Sequence, residues 1–242
     1  MKKFTQKGLV IIPARGGSKR IKNKNIKNFL GDPLIAYTIK QAKQLKMADR
    51  VIVDTDSPQI AKVARRYGAE VPFLRPANLA QDNSLVINSV IYILQRLKKE
   101  ENYIPDYIII LQTTSPLREM KDIESCWKLF KDTDATTVLT VCETHPRSYR
   151  LTRENNLILL NGSEKYSTNV QAWNKRYILN GCFVYFVETA ALLREKVIIT
   201  RKTKAVVCDK WRSVDLDNPE DWVIAELLYR ERKSVTKKIK SI

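Results

Sequence analysis

The sequence predicts a doubly wound α/β fold on a mostly parallel sheet. Two observations carry this. Short continuous apolar runs, Leu9-Val10-Ile11-Ile12, Val51-Ile52-Val53 and Tyr107 to Leu111, read as strands buried on both faces. Strand and helix patterns alternate four times with short connections, which is how parallel strands joined by helical crossovers look in sequence. In such sheets ligands sit beyond the carboxyl ends of the strands, so the residues after each strand carry the functional reading.

The elements follow in order. Leu9 to Ile12 is a strand ended by Pro13, and a polar, Gly-containing stretch runs to Asn28. From Pro33 the period is helical, with Ile35, Ile39 and Ala42 on one face. After the Val51–Val53 strand, Ser57-Pro58 supplies an N-cap and a proline at the first helical position, and this helix runs to Tyr67 and stops at Gly68. Val71 to Leu74 is extended. Val86, Val90, Ile93, Leu94 and Leu97 line one face of a helix. Tyr107 to Leu111 is a strand, Ile123 to Phe130 a helix, and the β-branched stretch Thr136 to Val141 is extended.

From about Cys142 the rhythm changes. Residues 143–180 mix Pro, Asn, Arg and Tyr without a period, which predicts an excursion from the sheet. Its apolar and aromatic residues (Tyr149, Leu151, Leu159, Leu160, Tyr166, Trp173) are too many for a free excursion, so it reads as an arm packed on a partner subunit in a homodimer. Cys182 to Val187 and Ala205 to Cys208 are strands again. Asn218-Pro219 opens a last helix through Trp222, Ala225, Leu228 and Tyr229. The tail from Arg230 to Ile242 holds six Lys or Arg against Glu231 and reads as a solvated, frayed end. No repeat or long linker divides the chain, so residues 1–242 read as a single domain.

Composition narrows the function. The 242 residues are 44% hydrophobic with only seven Gly, which excludes collagenous, low-complexity and disordered classes. No apolar run reaches the roughly 18 residues that span a bilayer, and Met1-Lys2-Lys3 is followed by too short an apolar run for a signal peptide; a cytoplasmic protein with no membrane partner is expected. The four cysteines, Cys126, Cys142, Cys182 and Cys208, form no CxxC pair and read as buried reduced thiols rather than a zinc site. A single histidine, His145, excludes a two-histidine metal site, and no GxSxG surrounds a serine. The net charge of +17 fits a nucleic-acid binder, a handler of small polyanions or a solvated Lys-rich surface. Aromatic–basic interleaving and cysteine–histidine fingers are both missing, which argues against nucleic acid.

Three loops stand out. After the first strand, Arg15, Lys19, Arg20, Lys22 and Lys24 put five cations in one stretch with no acid before Asp32. Gly16 and Gly17 allow close approach of a ligand with backbone N–H groups turned inward. This is neither a Walker loop nor a GxGxxG turn; it reads as a phosphate-binding loop, with a solvated charge run or a nucleic-acid patch as alternatives. After the Tyr107 strand, Gln112-Thr113-Thr114-Ser115-Pro116-Leu117-Arg118 is either a site or a plain turn. Near the end, Asp215-Leu216-Asp217 on extended backbone would put two carboxylates on one side, which suits Mg²⁺. The alternative is that Asp217 or Asn218 caps the following helix.

Together these stretches resemble the CMP-sialic acid synthetase family, the cytidylyltransferases that make CMP-activated nine-carbon acidic sugars. Residues 12–19 and 24–25 are similar to its IPARGGSK…KN loop, and residues 111–118 to its LQPTSPLR segment with Thr113 in place of Pro. Residues 72–80 resemble FLRPxxLA, Asn180-Gly181 before an apolar strand resembles NGaiY, and Asp215-x-Asp217 matches the family's metal pair. The resemblance covers nearly the whole chain, in order. It implies a nucleotide-diphospho-sugar transferase-like fold with an extended dimerisation arm at about 143–180, and attack of a sugar's anomeric hydroxyl on the α-phosphorus of CTP with loss of pyrophosphate. It places Arg15, Gly16, Gly17, Ser18, Lys19, Lys24, Asn25, Arg75 and Ser84 at the nucleotide. Gln112, Thr114, Ser115 and Gln171 fall at the sugar acid, and Asp215 and Asp217 at Mg²⁺, with Arg15, Lys19 and Asp215 as the catalytic groups. Family members often carry Arg-Gln in the arm where this chain has Val170-Gln171. The pseudaminic-acid branch typically has a TAPF-like turn where this chain has Thr114-Ser115-Pro116-Leu117, which favours a sialic or legionaminic substrate. Cytidylyltransferases for pseudaminic acid or the eight-carbon sugar Kdo are the alternatives, with a basic nucleic-acid-binding protein a distant third.

Overall fold

In the computed structural model, which describes residues 7–145, 148–160, 174–181 and 183–242, the first apolar run forms β1 (Gly8–Pro13), and Leu9 to Ile12 are fully buried. A two-residue hairpin, β2 (Asn28–Phe29) and β3 (Asp32–Pro33), leads into α1 (Leu34–Ala42). The chain then forms β4 (Arg50–Asp54), α2 (Pro58–Arg66), α3 (Val86–Glu101), β5 (Tyr107–Ile110), α4 (Met120–Asp132) and β6 (Thr137–Thr144). Beyond these come β7 (Tyr149–Leu151), β8 (Leu157–Leu159), β9 (Arg176–Leu179), β10 (Tyr185–Glu188), α5 (Thr189–Glu195), β11 (Thr203–Cys208) and α6 (Pro219–Lys240).

The side chains of β1 divide between two apolar layers. Val10 and Ile12 pack with Ile35 and Ile39 of α1, Ile60 of α2 and Phe130 of α4. Leu9 and Ile11 pack with Val90, Ile93 and Leu97 of α3 and with Leu192 of α5. Helices thus cover both faces, and a strand buried on both sides has no place for polar alternation. The capping signals hold locally. The Ser57 side-chain oxygen accepts from the Ile60 N–H at 3.4 Å, and Glu119 and Asp122 form a reciprocal capping box at the start of α4.

Among the described residues the main sheet has seven strands, in the order β11-β6-β10-β5-β1-β4, with β9 also on β6. β1, β4, β5, β6 and β11 point the same way, as the doubly wound, mostly parallel prediction requires. β10 runs antiparallel to both of its neighbours, and β9 continues its line along the same edge of β6. The predicted strand at 182–187 therefore begins at Tyr185 and runs against the sheet.

Three expectations change. Val71 to Leu74 forms no strand; Glu70 alone bridges to Ile52. The arm expected from 143 starts later, because β6 extends to Thr144, and its described parts are the β7–β8 hairpin and β9. Tyr166, Gln171 and Trp173 lie outside the described residues. The tail is solvated but not frayed: α6 continues through it to Lys240. Its helix-forming residues and the cations of the last turn, Lys237, Lys238 and Lys240, suit a helix C-terminus. No helix among the described residues is long and apolar enough to cross a membrane.

Candidate active site

The carboxyl ends of β1, β4 and β5 open on one edge, where the loops after β1 and β5, the segment from Arg75 to Val86 at the start of α3, and Asp217 wall a cleft of about 590 Å³. The first loop leaves β1 with the Ala14 N–H still donating to the Asp54 carbonyl at 2.8 Å. The Gly16 N–H donates to Asp56 Oδ1 at 2.8 Å, so this amide is turned to the β4–α2 loop rather than to a ligand. A Cβ on Gly16 would lie 3.0 Å from Ser57 Cβ, so glycine is what lets the two loops close; Gly17 has open space around it. Neither glycine lines the cleft, whereas Arg15, Ser18, Lys19, Lys24 and Asn25 do.

Asn25 is buried and ties two loops together. Its Nδ2 donates to the Arg15 carbonyl at 3.0 Å, and its Oδ1 accepts from the Thr113 hydroxyl at 2.5 Å. Thr113, which stands where the resembling family has proline, therefore supplies a donor that proline lacks. Lys24 crosses to the last loop, donating to the Leu216 carbonyl at 2.6 Å with Asp217 Oδ1 3.8 Å away. Burial pulls its ammonium below the ordinary lysine range, against the pull of Asp217 and Asp215. Arg15 and Lys19 reach the opposite wall, where both meet Asp82, whose carboxyl they hold below its usual range, Lys19 with the larger effect.

Arg75 lines the cleft but is committed to Asp54. Its Nε and Nη2 donate to the two carboxylate oxygens at 2.9 and 2.6 Å, both partners buried. Ser84, also on the wall, donates to the Asn78 carbonyl at 3.1 Å.

The turn after β5 puts Gln112 and Thr114 on the cleft, while Ser115 is fully buried and donates to the Gly181 carbonyl at 2.9 Å. Behind the turn Arg118 donates to the carbonyls of Gln112 and Phe183 at 3.0 and 2.9 Å and to Thr38 and Gln41 at 3.0 Å each. Burial lowers its guanidinium to about 10.

Asp217 lines the cleft while its neighbour Asp215 does not, and the pair is held on different terms from those expected. The Asp217 N–H donates to the Asp215 carbonyl at 2.9 Å, so the backbone turns tightly at Leu216 instead of running extended. Leu216 is fully buried among Phe29, Leu34 and Trp222, and its N–H donates to the Thr114 carbonyl at 2.9 Å. Those two anchors hold the pair in place. Asp217 is exposed and lies 3.7 Å from Arg20; Asp215 is half-buried. Burial pushes the Asp215 carboxyl up, its bond from Thr114 opposes this, and Asp217 adds to the rise. Gly181, at φ 64°, packs so closely that a Cβ there would sit 2.7 Å from Asp215 Cβ. The helix that follows is capped by Asn218 and Asp221, which leaves the Asp217 carboxylate outside the cap.

Sequence reasoning missed Asp82, Asp54, Asp56 and the buried Arg212, which donates to Asp122 at 2.6 and 2.9 Å and to Asp209 at 2.9 Å, fixing the segment that leads to Asp215. Gln171 lies outside the described residues.

The cytidylyltransferase family model matches residues 9–224. A pseudaminic acid cytidylyltransferase of Campylobacter jejuni is 34% identical over 230 residues, covering 93% of this chain and 97% of that one. A CMP-N,N'-diacetyllegionaminic acid synthase of Legionella pneumophila is 35% identical over 226 residues, covering 91% and 95%. Among solved structures, a CMP:2-keto-3-deoxy-manno-octonic acid synthetase complexed with CTP shares the fold at a TM-score of 0.68 and 17% identity, covering 93% of this chain and 99% of that one. Matched nearly end to end by that model and by these relatives, the chain belongs to the cytidylyltransferase family and, within it, to the CMP-sialic acid synthetase family.

Proposed function

We propose that this enzyme transfers CMP from CTP to the anomeric hydroxyl of a nine-carbon acidic sugar and releases pyrophosphate. One observation carries the reading: Arg15, Lys19 and Lys24 from one loop face Gln112 and Thr114 from a second and Asp217 from a third across a single cleft. Reactions at phosphorus are catalysed mainly by positioning and by neutralising charge, and that is what these side chains can do. Arg15, Lys19 and Lys24 neutralise the polyphosphate. Arg75, braced by Asp54, and Ser84 lie on the wall assigned to the nucleoside. Gln112 and Thr114, held from behind by Arg118 and Leu216, orient the attacking sugar. The basic cleft also suits the sugar's carboxylate.

Asp215 and Asp217 offer hard oxygen donors beside Lys24, a set that fits Mg²⁺ completed by substrate phosphates. Mg²⁺ would add positive charge at the triphosphate. The arm supports a homodimer: Leu151, Leu157 and Leu160 are each more than half exposed on the described hairpin, the kind of apolar surface a partner subunit covers.

The Thr114-Ser115-Pro116-Leu117 turn favours a sialic or legionaminic acid as acceptor. The similarity to a pseudaminic acid cytidylyltransferase is nearly as high as that to a legionaminic one, so pseudaminic acid is the second reading. Pyrophosphate release from CTP, measured over a panel of these sugar acids and Kdo, separates them; turnover of Kdo alone would overturn the proposal.

A further inference from the structure

Asp82 lies on the cleft wall opposite the cationic loop, and each of its oxygens has its own cation. Oδ1 accepts from Arg15 Nη1 at 2.8 Å, and Oδ2 is paired with the Lys19 ammonium. A carboxylate bridging two cations in this way spans nearly the same distance as two oxygens of one phosphate group. Arg15 and Lys19 are thus already spaced to grip a single phosphate between them. Asp82 belongs to a short irregular segment whose neighbours Leu79, Gln81 and Ser84 also line the cleft, and its side chain is half exposed. Nothing in the core depends on this side chain, so it can swing away.

We propose that Asp82 is a displaceable stand-in for a phosphate group: it neutralises Arg15 and Lys19 in the free enzyme, yields them to the nucleotide's polyphosphate, and competes for them again as pyrophosphate leaves. This rests on the reading that Arg15 and Lys19 hold phosphate. Asp82 is then a residue that tunes nucleotide entry and product release without touching the reacting atoms. An exposed ion pair is individually weak, so the competition sets affinity over a modest range rather than blocking the site.

The test compares wild type with Asp82→Asn, Arg15→Ala and a double variant, Asp82→Asn with Asn83→Asp, which keeps the net charge but moves it to an exposed position that does not line the cleft. Calorimetric binding of CTP and of inorganic pyrophosphate is measured at fixed ionic strength, together with the CTP KM and product inhibition by pyrophosphate. Asp82→Asn should bind both ligands about threefold to tenfold more tightly, lower the CTP KM and deepen pyrophosphate inhibition without raising kcat. The charge-preserving double variant should behave like Asp82→Asn. Unchanged or weaker binding in Asp82→Asn, with Arg15→Ala still weakening both ligands, overturns the stand-in alone. Wild-type behaviour of the double variant would also overturn it, because general charge rather than contact would then explain the effect. Unchanged binding in Arg15→Ala overturns the underlying phosphate assignment.

Discussion

Lys24 joins the two halves of the cleft, since one ammonium reaches from the cationic loop to the Leu216 carbonyl and the Asp215–Asp217 pair. The single residues of this region make separable predictions. Arg15→Ala should lower kcat/KM by at least ~10²-fold, because a donor to developing phosphate charge is worth roughly 2.7–4 kcal/mol; wild-type kinetics in the folded variant would remove Arg15 from the site. Asp217→Asn should lose most activity, with partial recovery at higher Mg²⁺ or with Mn²⁺. If Asp217 served only to cap α6, that variant would be nearly silent, since Asn caps as well as Asp; the cap observed at Asn218 already removes that role from Asp217. Asp215→Asn tests the half-buried carboxylate differently. Its folded-state pKa is raised chiefly by burial, so ionisation penalises the folded protein as pH climbs from the ordinary carboxylate range through the raised value. The variant should therefore melt at or above the wild-type temperature at neutral pH, with any advantage disappearing in acid where both forms are uncharged. A large loss of Tm at pH 7 would contradict this account of Asp215.

At the scale of elements, what could be read from the chain is what burial and capping write into it. β1, β4 and β5 were legible because both of their faces are covered, and α2 because Ser57-Pro58 marks its start. The direction of β10 was not, since an apolar run records burial but not polarity; only pairing with Ile110 and Leu139 reveals it. The second half of α6 was missed for a related reason. Most of it is exposed, so no apolar period remains beyond Tyr229, and the helix persists on local propensity. In the site, the cationic loop announced itself by charge density. Asp82 is one acid in an aperiodic segment, and only its contact with Arg15 and Lys19 gives it meaning. The extended geometry expected for Asp215-Leu216-Asp217 gave way to a turn because Leu216 is drawn into the core. Packing between layers is testable at Phe130, fully buried against Tyr107, Trp127 and Phe186. Phe130→Ala should cost about 3–5 kcal/mol in chemical denaturation, and a loss under 1 kcal/mol would mean that α4 does not carry the sheet's apolar layer as described.

On the scale of the whole molecule, the net charge of +17 and the apolar hairpin have different consequences. The hairpin predicts a dimer: sedimentation at micromolar concentration should give about twice the 28.0 kDa chain mass, and a monomer would remove the arm from any interface. The charge, gathered in part at the cleft, predicts a CTP KM that rises with ionic strength. The family relationship fixes cytidylyl transfer, while the acceptor rests on the turn at Thr114–Leu117 and on the arm. The most direct test of the central claim is therefore pyrophosphate release from CTP with N-acylneuraminic, diacetyllegionaminic and pseudaminic acids and Kdo, with the CMP-sugar product identified by mass. Stoichiometric pyrophosphate and CMP-sugar are expected with a nine-carbon acid of the sialic or legionaminic type, at a kcat/KM at least ~10-fold above that for Kdo. CTP turnover with Kdo alone, or none with any nine-carbon acid, would contradict that claim.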